Sequence, residues 1–296
     1  MNIRELEYFH ELANGKNFSQ VAKVFNVRQP TVTMAIQRLE EEYATPLVVR
    51  DSANRTLRLT VAGQQLEAHI AVILRELAVA RQELSRVNEH QLILGLPPII
   101  GSYYFPRLTK DLLSAGLMHM VRTVETGSRE LFTQIMTGEI DAALLGSAHP
   151  ITDSQLTVES FMVRPVRLIV SPHHPLAAKK HISFADLRHE HFILPTPQFV
   201  HYGIFRELAQ QAHIRPHIRY QTSNFKVIKE LVNNNDGISI IADIAIEPQD
   251  HLVGLTIDTP TPPHFYISLV YQQNHVFSPA QQTVINLITT LFNQQS

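Results

Sequence analysis

Apolar residues recur at helical spacing in three successive stretches before Glu42. Ile3, Leu6, Phe9, Leu12 and Ala13 mark an opening helix that Gly15 ends. Phe18, Val21, Val24 and Phe25 mark a second, and Val32, Ile36 and Leu39 a third. The third stripe leaves Pro30, Met34, Gln37 and Arg38 on the opposite side of its helix. Between the last two, Asn26 suits the left-handed backbone of a tight inter-helix turn. Two short helices crossing over such a turn form a helix-turn-helix, whose second helix fits the DNA major groove. Taken alone, the pair reads equally well as an ordinary helical hairpin with a solvated polar face.

The next segment shifts the balance. Leu47 to Arg50 and Thr56 to Thr60 are β-prone runs around the turn-rich Asp51, Ser52, Ala53 and Asn54. A hairpin in that position is a wing, with Arg50, Arg55 and Arg58 able to reach phosphates or the minor groove. From Val61 to Val87 the spacing predicts one long helix. Its residues Leu66, Ile70, Ile73, Leu77, Ala80, Leu84 and Val87 form a heptad seam. Such a seam predicts pairing with a like helix, hence a dimer reading two half-sites. Packing on its own domain is the alternative.

Beyond Gln91 strands alternate with helices. Strands are expected at 91–96, 118–124, 141–145, 166–170, 192–194, 217–220, 238–241 and 265–271. Helices are expected at 103–113, 129–136, 184–187, 204–211, 225–234 and 279–292. The alternation predicts a parallel, doubly wound α/β sheet, and its length favours two lobes. A ligand site then lies at the strands' carboxyl ends, in the cleft between lobes. Ser102, Thr126 and Ser128 stand where free helix N–H groups favour an anion, although each reads equally well as a helix cap.

Composition narrows the class. The net charge of −2 excludes binding to polyanions by bulk charge, so basic groups must be local. Between Gly15 and Thr60 lie Lys16, Lys23, Arg28, Arg38, Arg50, Arg55 and Arg58 against Glu40, Glu41, Glu42 and Asp51. No cysteine is present, which excludes disulfides and thiolate metal sites. The absence of a signal-peptide pattern or a long apolar run predicts a cytoplasmic protein away from membranes. A cytoplasmic small-molecule-binding protein whose main activity lies in the two-lobed cleft is one competing class and an enzyme another, and 16 histidines raise the question of a metal. His173 and His174, His189 and His191, and His213 and His217 lie beside proline or charge, with Pro216 inside the last pair. They read as solvated surface, and no HExxH, phosphate loop or GxSxG elbow occurs. Neither catalysis, a metal nor a cofactor is expected.

These residues resemble the LysR-type transcriptional regulators along essentially the whole chain. The carrying motifs are LEYFHELA (6–13), NFSQVAKVFNVRQPTVTMAIQRLEEE (17–42), PLVVR (46–50) and LRLTVAG (57–63). FPRLTKDL (105–112), GEIDAALL (138–145), SPHHPLA (171–177) and DGISIIA (236–242) follow. The resemblance implies a winged helix-turn-helix at 1–60 and a dimerisation helix at 61–88. It implies a periplasmic-binding-protein-like effector domain, with lobe I at 89–161 plus 266–296 and lobe II at 162–265. It further implies promoter DNA, RNA polymerase and a small effector as partners, in a homodimer or homotetramer. Carried over by position, Arg28, Gln29, Pro30, Thr31, Thr33, Met34, Gln37 and Arg38 are the recognition-helix candidates, with Arg50 and Arg55 on the wing or backbone. Gln29 could pair with adenine, while Thr31 and Thr33 could meet phosphate or a thymine methyl. Arg28 stands where relatives have a capping serine, Met34 where they are polar, and the wing is about two residues longer.

For the effector, the matching positions are Pro97, Ile99, Gly101, Ser102, Thr126, Gly127, Ser147, Thr196, Gln198 and Phe199. Relatives often carry hydroxyls where Pro97 and Ile99 stand. The long wing and N-terminal wording also resemble regulators of malolactic fermentation, which implies a small organic acid such as malate as inducer.

Overall fold

Three helices, α1 (Ile3–Ala13), α2 (Phe18–Val24) and α3 (Gln29–Glu42), open the computed structural model, which describes residues 1–51, 56–86 and 91–293. Capping boxes start the first two: Asn2 with Glu5, and Asn17 with Gln20. Each satisfies two backbone N–H groups that the first turn leaves open. Asn26 takes the left-handed turn, φ 53°, as its position predicts. Arg28 makes no side-chain cap, and Pro30 enters the first turn of α3, where a missing N–H costs nothing.

Phe9, Val21, Val32, Ala35, Ile36 and Leu39 meet in a closed core. Full burial of a large side chain such as Phe9 or Ile36 contributes about 1.5–3 kcal/mol. Two strands follow, β1 (Val48–Asp51) and β2 (Thr56–Leu59), antiparallel with Val48 opposite Leu59. The Glu40 carboxylate accepts the N–H groups of Leu47 and Val48 at 2.8 and 3.2 Å, tying the end of α3 to the hairpin. Thr60 then opens α4 (Val61–Arg86) by accepting the Gly63 N–H at 2.9 Å.

The heptad seam divides on α4. Ile70 is fully buried and Leu66 half-buried in the helix-turn-helix core, joined by Leu74. Leu77 lines a groove of about 280 Å³ with Ile3, His10 and Phe25. Val72, Ile73, Ala80 and Leu84 stay exposed, so the open apolar row is narrower than the seam.

The chain forms two compact units, Met1–Ser85 and Arg86–Ser296. The second contains, in order, β3 (Leu92–Gly95), α5 (Pro98–Ser114), β4 (Val121–Val124), α6 (Ser128–Met136), β5 (Ala142–Ser147), β6 (Leu156–Val170) and β7 (His181–Ser183). It continues through β8 (His191–Pro195), α7 (Val200–Gln211), β9 (His217–Thr222), α8 (Phe225–Asn233), β10 (Ser239–Ala242), β11 (Val253–Asp258), β12 (His264–Gln272) and α9 (Pro279–Asn293).

The first lobe has β3 between parallel β4 and β5, and β12 closes it antiparallel to β5. The lobes are joined through β6, which pairs along its earlier half with β12 and along its later half with β10 and β11. Parallel β8 and β9, with a bridge from Phe192 to Ile238, complete the second lobe, and β7 edges it beside β11. Helices and sheet alternate as the sequence predicts, but the sheet is mixed, because β6 and β12 run antiparallel to their neighbours. The helix expected at 103–113 starts at Pro98 instead. The Pro97-Pro98 pair ends a strand and also pre-sets the first helical turn.

Candidate nucleic-acid interface and ligand cleft

Helix α3 turns its uncovered side outward. Arg28, Gln29, Pro30, Thr31, Met34, Gln37 and Arg38 are all exposed, with Thr33 half-buried between them. The Ser19 hydroxyl donates to Gln29 Oε1 at 3.1 Å, so the start of α2 orients the amide at the start of α3. Thr33 donates back to the Gln29 carbonyl at 3.2 Å, which leaves its methyl free to face outward. Ser19, exposed on α2, joins this surface although the sequence pattern did not single it out. Only its place at the second helix's start would have signalled it.

Arg38 is differently placed. Its Nε lies 2.8 Å from Oε1 of Glu5, a residue only 4% exposed. That pair joins α3 to α1, so the guanidinium already has a structural partner. Arg50 stands in β1 opposite Leu57, and Arg55 lies outside the described residues.

Two cavities lie between the lobes of the second unit, with Pro98, Ile99 and Phe225 in both linings. The larger, about 780 Å³, is bordered by Ser102 and Tyr103 on α5 and by Ser223, Asn224, Lys226, Lys229 and Glu230 around the start of α8. Glu247 and Asp250 complete its charged rim. Lys229 is neutralised there, 2.8 Å from Asp250 and 3.6 Å from Glu247.

The smaller cavity, about 10 Å³, has room for roughly one water. Pro97, Ile99, Ser128, Phe199, His201, Phe225 and Phe265 surround it. The rings of Phe199 and Phe225 meet edge to face at 5.2 Å, and His201 stacks on Phe265 at 5.0 Å. The lobes touch closely beside it: a Cβ on Gly127 would stand 2.9 Å from the Gln198 carbonyl oxygen. Within the sheet of the first lobe, a Cβ on Gly146 of β5 would stand 2.1 Å from the ring of Phe265 at the start of β12. Glycine is required at both places by close approach.

The sequence-derived effector positions therefore separate. Pro97 and Phe199 line the small pocket, Ser102 lines the wide one, and Ile99 borders both. Ser102 sits in the second turn of α5 and not just before the helix, because α5 starts early. Gly101 donates its N–H to the Pro97 carbonyl at 2.7 Å. Thr126 donates to Glu130 at 2.5 Å, and Ser147 to the His149 carbonyl at 2.6 Å, so both hydroxyls are engaged. Thr196 Oγ1 is buried without a hydrogen-bond partner among the described residues.

His201, which the sequence pattern did not single out, is buried, being 2% exposed. Burial pushes its pKa down to about 3, so the ring is neutral in the physiological range. Val200, Phe225 and Phe265 also border the pocket without having been singled out, since nothing local to them announces a contact made across lobes. Among the described residues no group of three or more His, Asp or Glu side chains is placed to hold a metal ion. No described helix is long and apolar enough to cross a membrane.

A helix-turn-helix with an uncovered second helix, followed by a two-lobed α/β unit with a cleft, is the architecture of a ligand-responsive DNA-binding regulator. Residues 3–64 match the bacterial regulatory helix-turn-helix protein model of the lysR family, and residues 85–293 match the LysR substrate binding domain. The chain belongs to the LysR family of bacterial transcription regulators.

It is 34% identical to the malolactic fermentation system transcriptional activator of Lactococcus lactis, over 98% of this chain and 99% of that one. It is 26% identical to the DNA-binding transcriptional dual regulator OxyR of Escherichia coli K12, over 92% and 90%. The same fold occurs in a LysR-family regulator from Pseudomonas aeruginosa, at TM-score 0.54 and 19% identity over 100% of this chain and 99% of that one.

Proposed function

We propose that this ligand-responsive regulator reads promoter DNA with the outward side of α3. Arg28, Gln29, Pro30, Thr31, Thr33, Met34 and Gln37 face base edges and the flanking phosphates, while Arg50 and Arg55 of the hairpin hold the backbone. The observation that carries this reading is the exposed side from Arg28 to Gln37, which bears no carboxylate and starts with an amide oriented by Ser19. A glutamine amide matches adenine N6 and N7, and threonine methyls match thymine. Arg38 supports the helix through Glu5 in addition to any phosphate contact.

Two chains pair in the cytoplasm through the open row of α4 (Val72, Ile73, Ala80 and Leu84), as a homodimer or as half of a homotetramer. Residues 61–88 serve as the connection, and each dimer reads half-sites about 34–36 Å apart. The small effector lies between the lobes, bounded by Pro97, Ile99, Ser102, Thr196 and Phe199, and its occupancy alters promoter binding and contact with RNA polymerase.

The test is binding of the full chain to its own upstream DNA across a salt series. Gln29→Ala with Thr33→Ala should weaken specific binding by about 10- to 100-fold and leave non-specific affinity and oligomer size unchanged. Unchanged operator affinity in that variant would refute the assignment of α3.

A further inference from the structure

The orientation of His201 gives the closed pocket a chemical preference. Its Nε2 accepts the Ala242 N–H at 3.0 Å, so the neutral ring carries its proton on Nδ1. Nδ1 has no hydrogen-bond partner among the described residues, and the ring lines the cavity. Phe265 stacked at 5.0 Å and Phe225 edge-on at 5.5 Å hold the ring in that pose.

Ser128 supports the same polarity. Its Oγ accepts the Gly146 N–H at 3.0 Å, which leaves the hydroxyl hydrogen to donate. The remaining lining, Pro97, Pro98, Ile99, Phe199, Val200, Phe225 and Phe265, is apolar and uncharged. The side-chain polar groups on offer are therefore donors, and no cation accompanies them. The charged groups of the cleft border the wider cavity instead, with Lys229 already neutralised by Asp250 and Glu247.

We propose that the pocket around His201 binds an uncharged, mainly apolar molecule through a single carbonyl-type acceptor, which takes the His201 Nδ1–H and the Ser128 hydroxyl. The proposal rests on the reading of the cleft as the effector site and names the ligand class. A carboxylate would leave water for a lining with no charged side chain, where the partial positive charges at the starts of α5, α6 and α7 offset only part of its desolvation. A ketone carbonyl gives up far less hydration and recovers it from the two donors. Because the cavity holds only about 10 Å³, any occupant larger than water must part Phe199, Phe225 and Ile99. Those residues belong to both lobes, so binding changes the lobe geometry and selects a more open state.

The experiment uses matched probes on the full chain: methyl isopropyl ketone against isobutyrate, and acetophenone against benzoate, titrated by calorimetry. Operator binding is followed in parallel. The ketones should bind at least about tenfold more tightly than the carboxylates of the same shape. His201→Phe should lower ketone affinity by about tenfold, and Ser128→Ala, read alongside should the first variant misfold, by a smaller factor. Ring ¹⁵N shifts should show His201 unprotonated, with its hydrogen on Nδ1, down to about pH 5. Carboxylates binding as tightly as ketones, no ketone binding at about 10 mM, or full ketone affinity in both folded variants would overturn the proposal. Intact operator binding with failed ketone binding strikes the ligand class alone. Loss of operator binding in the unsubstituted protein strikes the regulator reading itself.

Discussion

The outward side of α3 and the pocket between the lobes present their polar groups under opposite conditions. On α3 the polar groups stand in water, few are buried, and an exposed amide or hydroxyl costs little to keep unpaired. In the pocket, His201 and Ser128 sit among five aromatic or proline rings, where an unpaired donor is costly and a charge costlier still. An open surface can therefore read a large charged partner with many weak contacts. A closed one reads a small partner with few strong contacts and rejects by desolvation. Affinity for DNA should accordingly fall steeply with salt, whereas affinity in the pocket should be nearly indifferent to it.

The contrast is tested most severely at Gly146. A valine side chain there would drive into the Phe265 ring, so Gly146→Val should cost about 3 kcal/mol and lower the Tm of the second unit by roughly 6–12 °C. An unchanged Tm in a thermal melt would mean that Phe265 swings aside freely and that the pocket is not sealed.

Acid probes the same enclosure. With a folded pKa of about 3 against an ordinary 6.5, the neutral His201 ring contributes stability that is fully present above pH 6.5. As pH falls from 6.5 toward 3, the unfolded chain takes up a proton that the folded one refuses, and stability declines by up to about 1.4 kcal/mol per pH unit. His201→Phe should flatten that part of the denaturation profile. Parallel profiles in the two proteins would show that water reaches the ring.

Smaller effects separate structure from recognition on the DNA-binding side. Arg38→Ala removes the nearer of two cationic partners of the buried Glu5, leaving the N-terminal ammonium at 3.9 Å, and should cost about 1–3 kcal/mol in chemical denaturation. Weakened DNA binding at unaltered stability would instead make Arg38 chiefly a phosphate contact. Least of all, Asn26→Ala should cost about 1 kcal/mol at φ 53°, while Asn26→Gly stays near neutral. Equal stability of the two would mean that the turn has relaxed.

The helices α1 to α4 and the hairpin were legible because each buries one face of a regular period against the same local core. Strand β6 was half missed: 166–170 is apolar except for Arg167, but the earlier half reads LTVESFMVR, where burial on both sides is incomplete. Its pairing with β12 joins residues about a hundred positions apart, as at Glu159 and Leu269, and no local pattern encodes that. The short β7 and β11 were missed for the same reason. In the cleft, Pro97, Ile99 and Phe199 were reachable by position, but His201 was masked by fifteen other histidines and Phe265 by its place in an ordinary strand.

The discontinuous first lobe has a consequence during synthesis. Its sheet lacks β12, and α5 lacks the covering α9, until residues 264–293 have left the ribosome. The helix-turn-helix is by then long complete, since its contacts close within residues 1–85. Chains stalled late in translation would thus carry a finished DNA-binding unit and an unfinished lobe with the exposed apolar faces of β5 and α5. Such products are ready substrates for chaperones and proteases.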